Sequence, residues 1–108
     1  MNKSKIDSRK TDETRTIEAA LRAEFPSAEA YRYNWASIRI RVIDERFRGL
    51  SIEDRDRMVS AILDGLPDDL QNQIILLLTL TPEEAQPENF NRHSILNLEF
   101  EDPSPSLL

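Results

Sequence analysis

The side chains best suited to act on another molecule are arginines. Arg39 and Arg41 alternate with Ile38, Ile40 and Val42, and Arg55 and Arg57 flank Asp56. A guanidinium is always charged and grips carboxylates or phosphates through paired hydrogen bonds, so such arginines point to binding an anionic partner. Groups for acid–base, nucleophilic or redox chemistry are sparse. The 108 residues include no cysteine and a single histidine, His93, which excludes disulfides, thiolate metal sites, cysteine-ligated clusters and thiol nucleophiles. There is no Ser/His/Asp set and no glycine-rich phosphate loop. Glu99, Glu101 and Asp102 lack the turn glycine of a calcium loop. The expectation is a protein that is not an enzyme and carries no cofactor or metal.

The net charge of −6 is unevenly spread. Residues 1–31 are neutral, residues 32–63 carry seven arginines against five acids, and residues 64–108 carry one arginine against nine acids. The whole chain repels polyanions, yet its mildly basic middle leaves single-stranded nucleic acid as an alternative partner. That alternative uses Arg39 and Arg41 for charge and Tyr31, Tyr33 and Trp35 for stacking. Whether the aromatics share the arginine face depends on the hairpin register. Robust non-specific DNA binding rests on about 6–10 phosphate contacts, more than this stretch supplies. No apolar run approaches the ~20 residues of a membrane span. Met1-Asn2-Lys3-Ser4-Lys5 leads into no apolar stretch, so it is no secretory signal, and a cytoplasmic location is the default expectation.

The elements that must position these residues follow from apolar spacing. Residues 1–12 are polar, charged and without period, as a disordered tail is. From Thr14, Ile17, Ala20, Leu21 and Phe25 recur at helical spacing until Pro26 stops the helix. Ala28–Tyr33 and Ile38–Ile43 read as two strands around Asn34-Trp35-Ala36-Ser37, a hairpin. On the second strand the Ile/Val face belongs in the core and the arginine face in water, which makes a sheet covered by helices on one side. Ser51 caps a helix whose apolar stripe runs through Ile52, Val59, Ile62, Leu63 and Leu66 to Gly65 and Pro67, with a short helical turn at residues 68–72. Ile74–Leu80 is almost wholly apolar. Period alone does not separate strand from helix there, but Pro67 and Pro82 leave little room for a helix. The crossover into it is expected to be parallel and right-handed. Residues 85–108 read as a mostly disordered acidic tail in which Leu96, Leu98 and Phe100 alternate like a strand-like docking segment.

Three motifs stand in order within residues 13–84: Arg46-Phe47-Arg48-Gly49, Arg55-Asp56-Arg57-Met58-Val59, and Thr79-Leu80-Thr81-Pro82-Glu83-Glu84. Together they resemble the BolA family, with its phenylalanine-x-glycine turn, its arginine-x-arginine helix and its closing Thr-Pro-Glu-Glu. The resemblance implies an α/β (α+β), two-layer, KH type II-like domain. Its order is helix-strand-strand-helix-short helix-strand, on a three-stranded mixed sheet with helices on one face. Phe47, Gly49, Met58 and Pro82 are its structural positions. Physical reasoning fits them independently: Gly49 allows a positive φ where strand turns into helix, and Phe47 covers the end of the core. Arg55 and Arg57 brace Asp44, Glu45 or backbone carbonyls rather than touch a ligand.

The resemblance also implies partnership with a monothiol glutaredoxin through a shared iron–sulfur cluster, in iron homeostasis, and for some members DNA binding. The family draws its cluster ligands from a histidine opening the last strand and from a residue in a longer hairpin loop. This chain has Gln73 at the first position and a shortened loop, and its helix reads Arg55-Asp56-Arg57 where the family has Arg-His-Arg. Gly65-Leu66-Pro67-Asp68-Asp69 lacks the second glycine of a KH nucleotide clamp. The expectation is a BolA-like adaptor that binds a monothiol glutaredoxin-like protein without supplying a cluster ligand. Its partner surface is placed at Arg39, Arg41, Arg55, Arg57 and Gln73.

Overall fold

The computed structural model describes residues 6–86, 88 and 92–107. Its elements are α1 (Asp12–Arg22), β1 (Glu29–Asn34), β2 (Ser37–Ile43), a 3-10 turn (Glu45–Phe47), α2 (Ile52–Leu63), α3 (Asp68–Gln71), β3 (Ile74–Leu80) and α4 (Arg92–Glu101). From α1 to β3 this is the expected order, and the class is α+β. The first helix is fixed by a reciprocal cap, in which the Thr11 hydroxyl accepts from the Thr14 amide and the Thr14 hydroxyl from the Thr11 amide. It ends before Phe25, whose amide bonds back to the Leu21 carbonyl at 2.7 Å and tucks the ring into the core ahead of Pro26.

β2 is the central strand, antiparallel to β1 and parallel to β3. Tyr31 lies opposite Arg39 and Ala30 opposite Ile40. That register resolves the alternation: Ala30, Ile38, Ile40 and Val42 face α1 and α2, where Ile17, Leu21 and Val59 complete the main core. Tyr31 and both strand arginines face the other way.

The far face is where the fold departs from expectation. It does not lie in water, and the two ends of the chain are not loose over it. Ile6 and Phe100 pack with Tyr31, Leu78 and Leu80 into a second buried cluster. Residues 92–101, expected within a disordered tail with a strand-like alternation, form a helix instead. The physical reason is Phe100, whose ring meets Tyr31 edge-on at 4.8 Å between centroids and is fully buried. Helices therefore stand on both sides of the sheet. Residues 1–5 of the expected amino-terminal tail lie outside the described residues.

Both sheet edges are blunted. On β1, the Arg32 amide donates to the Arg9 carbonyl at 2.9 Å and the Ala30 amide to Glu18 at 2.9 Å. β3 carries a bulge between Ile74 and Leu76, and the Arg55 guanidinium takes the Thr79 carbonyl at 3.2 Å. Such devices discourage strand addition by other chains. Among the described residues, no helix is long and apolar enough to cross a membrane.

Candidate functional site

The motif residues converge on one structural knot. Gly49 has φ +79°, the left-handed conformation that only glycine adopts without strain, and it turns the chain from the 3-10 segment toward α2. Ser51 caps α2 through the Asp54 amide. Arg55, one turn in, is 5% exposed and donates to the carbonyls of Leu50 and Thr79 and to both carboxylate oxygens of Glu84 at 2.7 and 3.2 Å. Glu84 in turn closes a capping box: its Oε1 accepts from the Thr81 amide, and the Thr81 hydroxyl accepts from the Glu84 amide. Burial opposes ionisation of Glu84, but Arg55 and the Thr81 amide hold its carboxyl below the usual range. The buried Phe47 ring lies under the Arg55 guanidinium at 6.0 Å. Met58 is half-buried against the core, and Pro82 stands in the turn just after Thr81.

Arg55 is thus a bracing residue that takes backbone carbonyls, those of Leu50 and Thr79, as one of the expected alternatives; its carboxylate partner is Glu84 and not Asp44 or Glu45. Those two acids serve Arg46 and Arg48, respectively. Asp56 reaches Thr79 at 3.2 Å, and burial raises its carboxyl above the usual range. Arg57 is exposed and pairs with Asp54 at 2.9 Å.

Arg39 and Arg41, expected on an open sheet face, are covered. Arg39 lies over the Tyr33 ring at 3.6 Å and bonds Glu99 of α4 at 3.0 Å. Arg41, 6% exposed, donates to Asn97 at 2.7 Å and Glu29 at 2.9 Å and stacks on Phe100 at 4.6 Å. Tyr31 donates to the Phe100 carbonyl at 2.8 Å, and Tyr33 to the Ser104 carbonyl at 2.7 Å. The acids of the tail occupy the cations of the sheet, because an arginine can be buried only if its charge is met. Tyr31 and Tyr33 do share the arginine face, but that face is already filled. Of the five expected partner residues, Arg39, Arg41 and Arg55 are therefore turned inward.

Gln73 lies elsewhere, at the head of β3. Its backbone carbonyl accepts from Ile38 at 2.7 Å, which brings it beside the β1–β2 hairpin. Both ends of its side-chain amide are engaged: Oε1 accepts from Arg32 Nη2 at 2.9 Å, and Nε2 donates to the Asp69 carbonyl at 3.1 Å. Arg32 Nη1 donates to the carbonyls of Trp35 at 3.1 Å and Asn34 at 3.4 Å. One guanidinium therefore ties the hairpin turn to the start of the last strand, with Glu13 as counter-ion at 3.5 Å. Trp35, in the turn, is 75% exposed, and Ile75, in the bulge, is 60% exposed. Arg32 is the residue that sequence reasoning missed, while Trp35, expected to stack on the sheet face, points outward from the turn instead. The available signal was a lone charge sharing a strand face with Ala28 and Ala30.

No family model matches the sequence, and no curated protein matches it. Among solved structures the chain is similar to BolA1 from Arabidopsis thaliana, with a TM-score of 0.50 and 16% identity over 71% of this chain and 100% of that chain. The two-layered α+β domain of residues 12–80 thus has a BolA-like fold, as the three motifs led us to expect.

An iron–sulfur cluster does not fit the residues at this position. Thiolate and imidazole are the working ligands of such clusters, whereas Gln73 offers an amide whose two ends are already bonded. A guanidinium 2.9 Å from its oxygen opposes a further cation. Among the described residues, no three His, Cys, Asp or Glu side chains cluster to hold a metal ion.

Proposed function

We propose that this chain is a non-enzymatic adaptor that docks a monothiol glutaredoxin-like protein through the patch formed by Trp35, Gln73 and Ile75, and contributes no cluster ligand itself. The observation that carries the reading is Trp35, held 75% exposed by a turn whose carbonyl is fastened to Arg32. Large aromatics in water are uncommon without a reason, and tryptophan is among the residues that dominate binding energy at interfaces. The BolA-like fold supports the choice of partner class. A role in iron or iron–sulfur homeostasis follows only if that partner is the right one.

The test is an amide NMR titration of the isotope-labelled chain with a monothiol glutaredoxin. Shifts are expected around Trp35, Gln73 and Ile75, with Arg39 and Arg41 unmoved beneath α4. An absence of shifts anywhere on the chain sinks the reading and leaves the likeness as one of fold alone.

A further inference from the structure

We propose that Arg32 sets the specificity of this patch: its guanidinium bridges hairpin and strand internally, and so makes docking indifferent to whether the partner carries metal. The proposal rests on the adaptor reading above and says which form of the partner the patch accepts.

The argument begins with the geometry of a single side chain. Arg32 projects from the end of β1, and its side chain is 18% exposed. Nη1 reaches the carbonyls of Asn34 and Trp35, and Nη2 reaches Gln73 Oε1 and, at 3.5 Å, Glu13. A planar guanidinium offers these donors in a fixed fork, so satisfying two carbonyls on one side and an amide on the other fixes their separation. The Trp35 backbone in the turn and the Gln73 side chain are consequently tied together before any partner arrives. A patch already ordered loses less conformational freedom on binding.

The same contacts decide what the unit refuses. Gln73 Oε1 accepts from Arg32 and Nε2 donates to the Asp69 carbonyl, so each end of the amide is already engaged within the chain and its oxygen lies against a guanidinium. A cation brought to that oxygen meets a positive charge that cannot be titrated away. Arg32 is a positioning residue here: it acts through Trp35 and Gln73 rather than by touching the partner.

The experiment compares the labelled wild-type chain with Arg32→Gln, Arg32→Lys and the double variant Arg32→Gln/Gln73→His. Each is titrated with metal-free and with cluster-loaded monothiol glutaredoxin, and each is first recorded alone. In the free protein, Arg32→Gln is expected to broaden the backbone amide signals of the turn at Trp35 and Ala36 and the Gln73 side-chain amide signals, because the bridge that orders them is gone. Wild type should bind both partner forms equally, and Arg32→Gln should bind both about tenfold more weakly, in line with losing hydrogen bonds from a charged donor. Arg32→Lys keeps the charge but not the fork, so it should resemble Arg32→Gln. The double variant, which restores an imidazole and removes the cation, should favour the loaded partner. A wild-type preference for the loaded form, cluster absorbance transferred onto the wild-type chain, or full rescue by lysine overturns the proposal. Those results leave the adaptor reading standing. Failure of wild type to bind either form removes the adaptor reading, and the specificity claim falls with it.

Discussion

Arg55 concentrates what single residues contribute. It satisfies two backbone carbonyls and a carboxylate from a site that is 5% exposed, so its loss strands Glu84 and the Thr79 carbonyl. Arg55→Ala is expected to destabilise the fold by about 3 kcal/mol, as breaking a buried pair does, measured by urea unfolding. Glu84→Gln tests the electrostatic half. The native carboxyl titrates below its unfolded value, so its contribution is complete above about pH 4.3 and is lost as pH falls through the folded pKa. Wild type should therefore exceed Glu84→Gln in stability at pH 7 and lose that advantage as pH falls through the folded pKa of Glu84. Asp56 acts with the opposite sign, since burial raises its pKa and makes its ionised form a cost at neutral pH. A difference between wild type and Glu84→Gln that stays constant with pH would show that Arg55 grips shape rather than charge. At Gly49 an added Cβ meets nothing within 4 Å, so Gly49→Ala isolates the backbone cost of the left-handed conformation, about 1–2 kcal/mol by the same measurement. Gly49 and Phe47 were legible in the sequence because a turn and a core-covering aromatic leave local signatures. The Arg55–Glu84 pair was not, because no spacing rule joins residues 29 positions apart in the chain.

At the scale of elements, β2, α1 and α2 were readable from period and β3 from an apolar run held between Pro67 and Pro82, and α4 was not. Its buried face is Ser94, Asn97 and Phe100, while Ile95 and Leu98 point to solvent. This inverts the usual amphipathic pattern, so a search for apolar residues at helical spacing finds only the alternation of Leu96, Leu98 and Phe100. Polar atoms belong on the inner side here because they answer the sheet's arginines, a requirement visible only once Arg39 and Arg41 are seen to share a face. Phe100→Ala should cost about 3–5 kcal/mol as a large-to-small change at a fully buried site. It should also release Tyr31. Burial raises the Tyr31 phenol above its ordinary value, so the folded protein loses stability as pH climbs past about 10, where the unfolded phenol ionises and the folded one resists. In Phe100→Ala, the Tyr31 titration followed by ultraviolet absorbance should move down toward the ordinary range. A midpoint that does not move would mean that Ile6 and Leu78 keep the ring dry without α4.

For the molecule as a whole, the two ends of the chain close the sheet's outer face together, and this binds distant parts of the sequence into one unit. Ile6 and Phe100 belong to the same buried cluster although 94 positions apart in the chain. A reading of composition, with 39% apolar residues and polar ends, favoured a modest one-sided core with loose tails. It failed because single apolar residues inside polar stretches show no period, yet each supplies one knob that packs on Tyr31, Leu78 and Leu80. The charge asymmetry belongs to the same scheme: the acidic carboxyl-terminal stretch lies over the basic middle, with Glu99 on Arg39 and Glu101 within 3.5 Å of Arg41. If the face closes as one unit, Ile6→Ala and Phe100→Ala should not act independently. Each alone opens the cluster to water, so the second substitution finds less to disrupt, and the double variant should be more stable than the two separate losses predict by about 0.5–3 kcal/mol. Hydrogen exchange on Ile6→Ala gives the structural counterpart, with amides of residues 92–101 exchanging faster although no residue in that helix has changed. Strict additivity, with α4 still protected in Ile6→Ala, would mean that the two ends settle on the sheet separately and that the outer layer is two attachments rather than one.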